Sequence, residues 1–272
     1  MISDNKIEMK NIQYILLLTL LFYGCEKVID VDLNEADPAI VIEGNVSNSL
    51  GYAEVKISMT SSYFDTISSE KISGAEIAVT SDFGDSYTFT EVENGVYRSN
   101  ENWFKEESDY NLFVDVNGEL YESSARMNPA VSIDSVTFYY EDSPFFDPGY
   151  YVNVYLFDPP GVENFYRLKY AKNGELQNTI DDLILFDDRF VDGNSIEVTI
   201  FNQPFEENDT ITLQLISLDE GAYEYLRTFR ELVNSNPGSA APANPNTNIS
   251  NGALGYFSTW SSYARSAIIK VK

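Results

Sequence analysis

From Ala39 onward, apolar side chains recur at every second position, the period of a strand with one buried face. Ala39 to Val46 and Ala53 to Met59 are the first two such runs. Ala75 to Val79, Tyr87 to Val92, Tyr110 to Val116 and Leu120 to Ala125 follow. Asn48-Ser49-Leu50-Gly51, Ser81 to Asp85, Glu93-Asn94-Gly95 and Asn117-Gly118 separate them. Asn-Gly favours a tight hairpin, because both residues tolerate positive φ. Short alternating runs at this turn spacing predict an antiparallel β-sandwich over residues 38–128.

Asn128-Pro129 marks the expected boundary to a second, β-rich domain over residues 129–272. Its strands are expected at Ile133 to Tyr140, Tyr150 to Phe157, Phe165 to Tyr170, Leu183 to Phe186, Ile196 to Phe201 and Thr210 to Ser217. The period then changes. Ala222, Leu226, Phe229, Leu232 and Val233 fall at helical spacing behind a suitable N-cap, Asp219, which predicts one helix over 219–234 packed on the second sheet. Residues 235–252, rich in Pro, Asn and Ser, predict a long loop, and Ala264 to Val271 the closing strand. A loop of this length inside a domain is often functional. The fold class is therefore mainly β with one packed helix.

The N-terminus follows a different rule. Lys10, an apolar run from Ile12 to Tyr23 and then Gly24-Cys25 have the basic flank, short core and small residue of a secretory signal. The run is shorter than the roughly 20 residues that span a bilayer. Phe22-Tyr23-Gly24-Cys25 resembles a bacterial lipobox, with Phe22 in place of the commoner Leu. That resemblance implies removal of residues 1–24, lipidation of Cys25 and an acidic tether over residues 25–37. Each buried lipid methylene contributes about 0.8 kcal/mol, so two or three acyl chains anchor stably where one does not. Met9-Lys10 makes a more conventional start than Met1, since residues 1–8 add acids that signals usually lack.

Composition then narrows the chemistry. Asp and Glu number 43 against 17 Lys and Arg, for a net charge of −26. Asp4, Glu8, Lys6 and Lys10 cancel in the signal, so the charge stays with residues 25–272. Such a field repels nucleic acid and anionic lipid. Hydrophobic residues at 43% and aromatics at 14% nonetheless suffice for packed cores. The chain has no histidine and a single cysteine, so histidine-dependent triads, histidine metal sites and disulfides have no residues to form them. No cofactor is expected.

Three constellations could carry chemistry. Paired carboxylates about 5 to 9 Å apart would serve glycoside hydrolysis, but 43 acids single out none. Asp181-Asp182 and Asp187-Asp188, with Asp192-Gly193-Asn194, read as solvated turns or as oxygen ligands for calcium, with Asp187, Asp188, Asp192 and Asn194 the candidates. The segment from Phe138 to Tyr151 holds aromatics broken by Pro144, Pro148 and Gly149. Phe145 and Phe146 there read equally as partner anchors on a loop or as rings folded into the second core, and Tyr150 and Tyr151 join them as partner-binding candidates. Asp65-Thr66-Ile67, Asp134-Ser135-Val136 and Asp209-Thr210-Ile211 resemble a bacterial O-glycosylation pattern, which would modify Thr66, Ser135 and Thr210.

Two resemblances complete the reading. Gly74-Ala75-Glu76-Ile77 with Gly95-Val96-Tyr97 is similar to transthyretin-like (prealbumin-like) sandwiches, an architecture shared in outline with immunoglobulin-like domains. The start Cys25 to Leu33, Asn128-Pro129 before Ile133-Asp134-Ser135-Val136, and Gly252 to Phe257 before a last strand resemble a domain-of-unknown-function lipoprotein family of Bacteroidota. Members are typically encoded near TonB-dependent transporters, and no catalytic residues come with the family. The resemblance implies a non-enzymatic outer-membrane lipoprotein on the cell-surface face, an accessory or substrate-capture subunit of such a transporter, alongside other surface lipoproteins. A structural or assembly subunit of another outer-membrane β-barrel complex is the alternative, and a carboxylate-based glycan hydrolase a third.

Overall fold

The computed structural model describes residues 38–49, 52–60, 69–99, 103–235 and 244–270. The expected signal over 1–24, Cys25, the rest of the tether, Thr66 and residues 236–243 of the long loop lie outside them. Eight strands build the first half: β1 (Ile40–Ser47), β2 (Ala53–Met59), β3 (Glu76–Ser81), β4 (Ser86–Thr88), β5 (Thr90–Glu93), β6 (Val96–Ser99), β7 (Ser108–Val116) and β8 (Glu119–Met127). One layer runs β1-β2-β6-β5 and the other β4-β3-β7-β8. The alternation explains the packing: Ile42, Val55 and Ile57 face Val79, Leu112 and Val114 across one core. Burying each such side chain stabilises by about 1.5–3 kcal/mol. Asn117 and Gly118, both at positive φ, close the β7–β8 hairpin.

The expected strand over 87–92 is two strands. The chain leaves the second layer after Thr88, turns at Phe89 and enters the first layer as β5. Val96 to Ser99, too short to register as an alternating run, is a strand because it pairs with β2 on one side and β5 on the other.

The second half comprises β9 (Ser135–Glu141), β10 (Gly149–Phe157), β11 (Phe165–Lys172), β12 (Glu175–Gln177), β13 (Ile184–Asp187), β14 (Ser195–Phe205), β15 (Thr210–Leu218), α1 (Glu220–Val233) and β16 (Leu254–Ile268). The three-stranded sheet β14-β10-β9 supplies Val152, Val154, Leu156 and Ile200 to a core shared with Tyr166, Leu168, Leu213 and Leu215 of β11 and β15. On the opposite face of β11 and β15, Ile216 and Leu218 pack with Tyr223 of the helix and Trp260. The helix stripe is only partly buried. Ala222 and Tyr223 are enclosed, whereas Phe229 and Val233 at the C-terminal end are exposed, because the last turns run past the sheet they were expected to cover.

The closing strand departs furthest from expectation. β16 starts at Leu254, not Ala264, and its two ends have different neighbours. Leu254 to Trp260 pairs parallel with β1, while Ser261 to Ile268 pairs antiparallel with β15. The first half is thus not wholly antiparallel, and a nine-stranded sheet runs through both halves. Pro38–Lys272 form one compact unit, and Ile249, Ala253 and Phe257 join the core of residues 42–127. Asn128, the expected boundary, is itself stitched in: its side-chain amide donates to the Leu218 carbonyl and its own carbonyl accepts from the Ser261 hydroxyl.

At the point where β16 changes neighbours, Asp219 holds it. One carboxylate oxygen caps α1 by accepting from Ala222 N–H at 2.9 Å, and the other accepts from Thr259 N–H at 3.1 Å. Burial pushes the Asp219 carboxyl up to about 6, against the pull of these hydrogen bonds. A carboxyl raised in the folded state binds its proton more tightly there than in the unfolded chain, so its contribution to stability falls as pH rises from about 4 to about 6. Asp219→Asn lacks a second acceptor for Thr259 and should cost about 1–3 kcal/mol, a cost that shrinks across this pH range. Urea unfolding of both proteins at several pH values checks it, and a constant difference would contradict it. Gly255, at φ +97°, lies so close to β1 that a β-carbon would overlap the Ile42 carbonyl. Gly255→Ala should therefore lower the unfolding free energy by about 3 kcal/mol or more, read from the same urea curves.

Candidate functional site

Proline and glycine break the hairpin between β9 and β10 into a loop over residues 142–148, and Glu141 fixes its shape. The Glu141 carboxylate accepts from the backbone N–H groups of Ser143 (2.8 Å) and Asp142 (3.0 Å). Hydrogen bonds from Ser143, backbone and side chain, hold that carboxyl below the usual range. Phe146 N–H closes the turn onto the Ser143 carbonyl at 3.3 Å. Phe145 is left pointing into solvent, 88% exposed, and Phe146 is 42% exposed.

The four expected aromatics come together at this end of the sheet, on two faces. Tyr150 shares the parity of Val152 and Val154, so it lies on the core side and meets Tyr140 edge-on at 5.2 Å. Tyr151 lies on the outer face, buried beneath its neighbours. Its ring contacts Tyr139 at 6.0 Å, Phe146 at 5.9 Å and Phe201 at 6.3 Å, and its hydroxyl donates to the Asp147 carbonyl. The two readings of Phe145 and Phe146 thus divide: neither ring enters the second core, and Phe146 leans on an aromatic cluster outside it.

Phe201 completes that cluster and was not among the expected residues. Between the pairs Tyr150↔Phe205 and Val152↔Ile200, β14 carries extra residues, a bulge that re-aims the side chains around it. Phe201 stacks on Phe146 at 5.9 Å and stays half exposed. Lys172 pins the bulge by donating to the Pro204 carbonyl at 2.9 Å and standing over the Phe205 ring. Beside it opens a cleft of about 510 Å³, lined by Tyr140, Pro148, Tyr150 and Pro204, with Glu206 and Glu207 at its acidic side.

The expected calcium residues are divided by the fold. Asp188 and Asp192 meet, joined by Asp158 from the loop after β10. Asp187 does not join them: it accepts from the Tyr223 hydroxyl at 2.9 Å and pairs with Arg189. Asn194 serves the backbone instead, its carbonyl accepting from Asp158 N–H and its amide donating to the Asp192 carbonyl. Asp182 is engaged by Thr179, Asn202 and Tyr170, whose hydrogen bonds outweigh burial and hold its carboxyl below the usual range. Burial, with Asp158 and Asp192 adding their charges, pushes Asp188 up. Asp158 was missed because Asp-Pro-Pro-Gly reads as an exposed turn, although the side chain is fully buried. Ser135 and Thr210 each begin a strand and are half-buried.

Fold and site together define a mainly β protein that presents aromatic rings on one hairpin end. Residues 26–266 match the family described as Domain of unknown function (DUF4249), and the chain belongs to that family. No curated protein matches the chain. Among solved structures, the adhesin InvE of Yersinia pseudotuberculosis aligns at 12% identity with a TM-score of 0.19. The alignment covers 65% of this chain and 55% of the adhesin, a likeness too slight to carry an argument.

Proposed function

We propose that this protein is a non-enzymatic lipoprotein of the outer membrane, anchored through Cys25 on the cell-surface face. Its partner is a β-barrel, a TonB-dependent transporter, for which it acts as an accessory or substrate-capture subunit. The observation that carries the reading is the aromatic end of the second half. Phe145 at 88% exposure, with Phe201 and Tyr140 each more than half exposed, is a concentration of apolar surface typical of docking sites. The lipobox-like sequence supports the location, and the resemblance to a Bacteroidota lipoprotein family supports the class of partner. Among the described residues, Asp158 and Asp188 of the acidic cluster they form with Asp192 are 0% and 3% exposed, out of reach of a sugar ring.

Two experiments test the parts separately. Cys25→Ser should abolish incorporation of labelled palmitate and move the protein out of the membrane fraction; retained labelling would refute the anchor. Phe145→Ser with Phe146→Ser should cost no more than about 1–2 kcal/mol, since the two residues are 88% and 42% exposed. The double variant should nonetheless lose most of the barrel that co-purifies with the wild type from native membranes. A transporter identified there by mass spectrometry supports the proposal, and a barrel of another class redirects it to a structural or assembly role. Undiminished recovery with the double variant would remove the aromatic end from the account.

A further inference from the structure

Two loops meet at the end of β10 remote from the aromatic hairpin, residues 158–164 after β10 and 188–194 after β13. Their acids cross between them. Asp158 accepts from Gly193 N–H at 3.1 Å, and Asp192 accepts from Gly161 N–H at 2.7 Å. Asp188 accepts from Asn164 N–H at 3.0 Å and donates its own N–H to the Asn164 carbonyl. One oxygen from each of Asp158, Asp188 and Asp192 lies within 4.8 Å of the other two. No ion pair among the described residues involves any of the three. Two buried carboxylates and a third at this spacing repel one another and lack the water that would otherwise stabilise them.

An independent feature points to what compensates. Asn164, whose backbone N–H meets Asp188, is 4% exposed, and its buried side-chain Oδ1 accepts no hydrogen bond. A buried amide oxygen without a donor costs about 1–3 kcal/mol unless something positive meets it. We propose that Asp158, Asp188, Asp192 and the Oδ1 of Asn164 bind a calcium ion that clamps the two loops together. Calcium takes six to eight oxygens in flexible geometry, so four protein ligands leave places for water or backbone carbonyls. Magnesium keeps more of its water and suits a site with two sealed ligands less well. Softer metals would want nitrogen or sulfur donors, which this cluster lacks.

The full chain, stripped of metal with EDTA in detergent, provides the test. Calcium chloride should raise its thermal midpoint by about 5 °C. Terbium should luminesce when tyrosine is excited, because the Tyr166 hydroxyl is 2.6 Å from Asp158, and calcium should quench that signal. Asp192→Asn, at an exposed position, should weaken the competition at least about tenfold. Asn164→Leu should do the same without lowering the midpoint in EDTA, since it removes an oxygen that has no partner there. Asp181→Asn, an exposed acid outside the cluster, should behave as wild type. Absence of both the midpoint shift and the terbium signal overturns the proposal. So does a calcium response unchanged in Asp192→Asn and Asn164→Leu, which would put the ions elsewhere on the acidic surface.

Discussion

The structure depends on one strand having two partners. β16 gives its first residues to β1 and its last to β15, so a single backbone closes both cores. The strand can do this only because Gly255 allows close approach to β1 and because Asp219 receives the Thr259 amide near the change of neighbour. Arg265 extends the same logic by donating to the carbonyls of Ile133 and Asp134, which fixes the segment linking the halves. The entropy of holding two sandwiches in register is met by hydrogen bonds along one continuous element, not by an interface between separate domains.

That arrangement frees β10 for display. Its inner face is committed to the second core through Val152, Val154 and Leu156, and its ends carry the two features of interest. The aromatic loop precedes it and the acidic loops follow it. The bulge in β14 joins the first of these to the frame by presenting Phe201 to Phe146, and Lys172 keeps the bulge from relaxing. Rigid support below and apolar surface above is the combination that lets a loop dock without a large ordering cost.

Much of this was legible in the residues, for reasons that differ by element. Strands with one wet face, such as β7 and β8, declare themselves by alternation, and Asp219 with its helical spacing declares α1. β16 does not. Ser258, Thr259 and Ser261 are buried there on sequence that carries no apolar period, because the strand is interior to a sheet whose other members come from distant segments. The aromatic loop was visible from proline placement and ring density, but Phe201 was not, since its position follows from a register shift. Asp188 and Asp192 were visible as loop acids, while Asp158 gained its place only from the crossing of two loops.

The central claim is that the aromatic hairpin end, not another exposed ring, meets the partner. Phe190 is 91% exposed at the far end of β10 and Phe145 is 88% exposed at the near end, so the two differ in place far more than in exposure. A photo-crosslinking amino acid at each position, activated in intact cells, compares them directly. The account predicts a β-barrel adduct from position 145 and none from position 190. An adduct from position 190 with none from position 145 would contradict it.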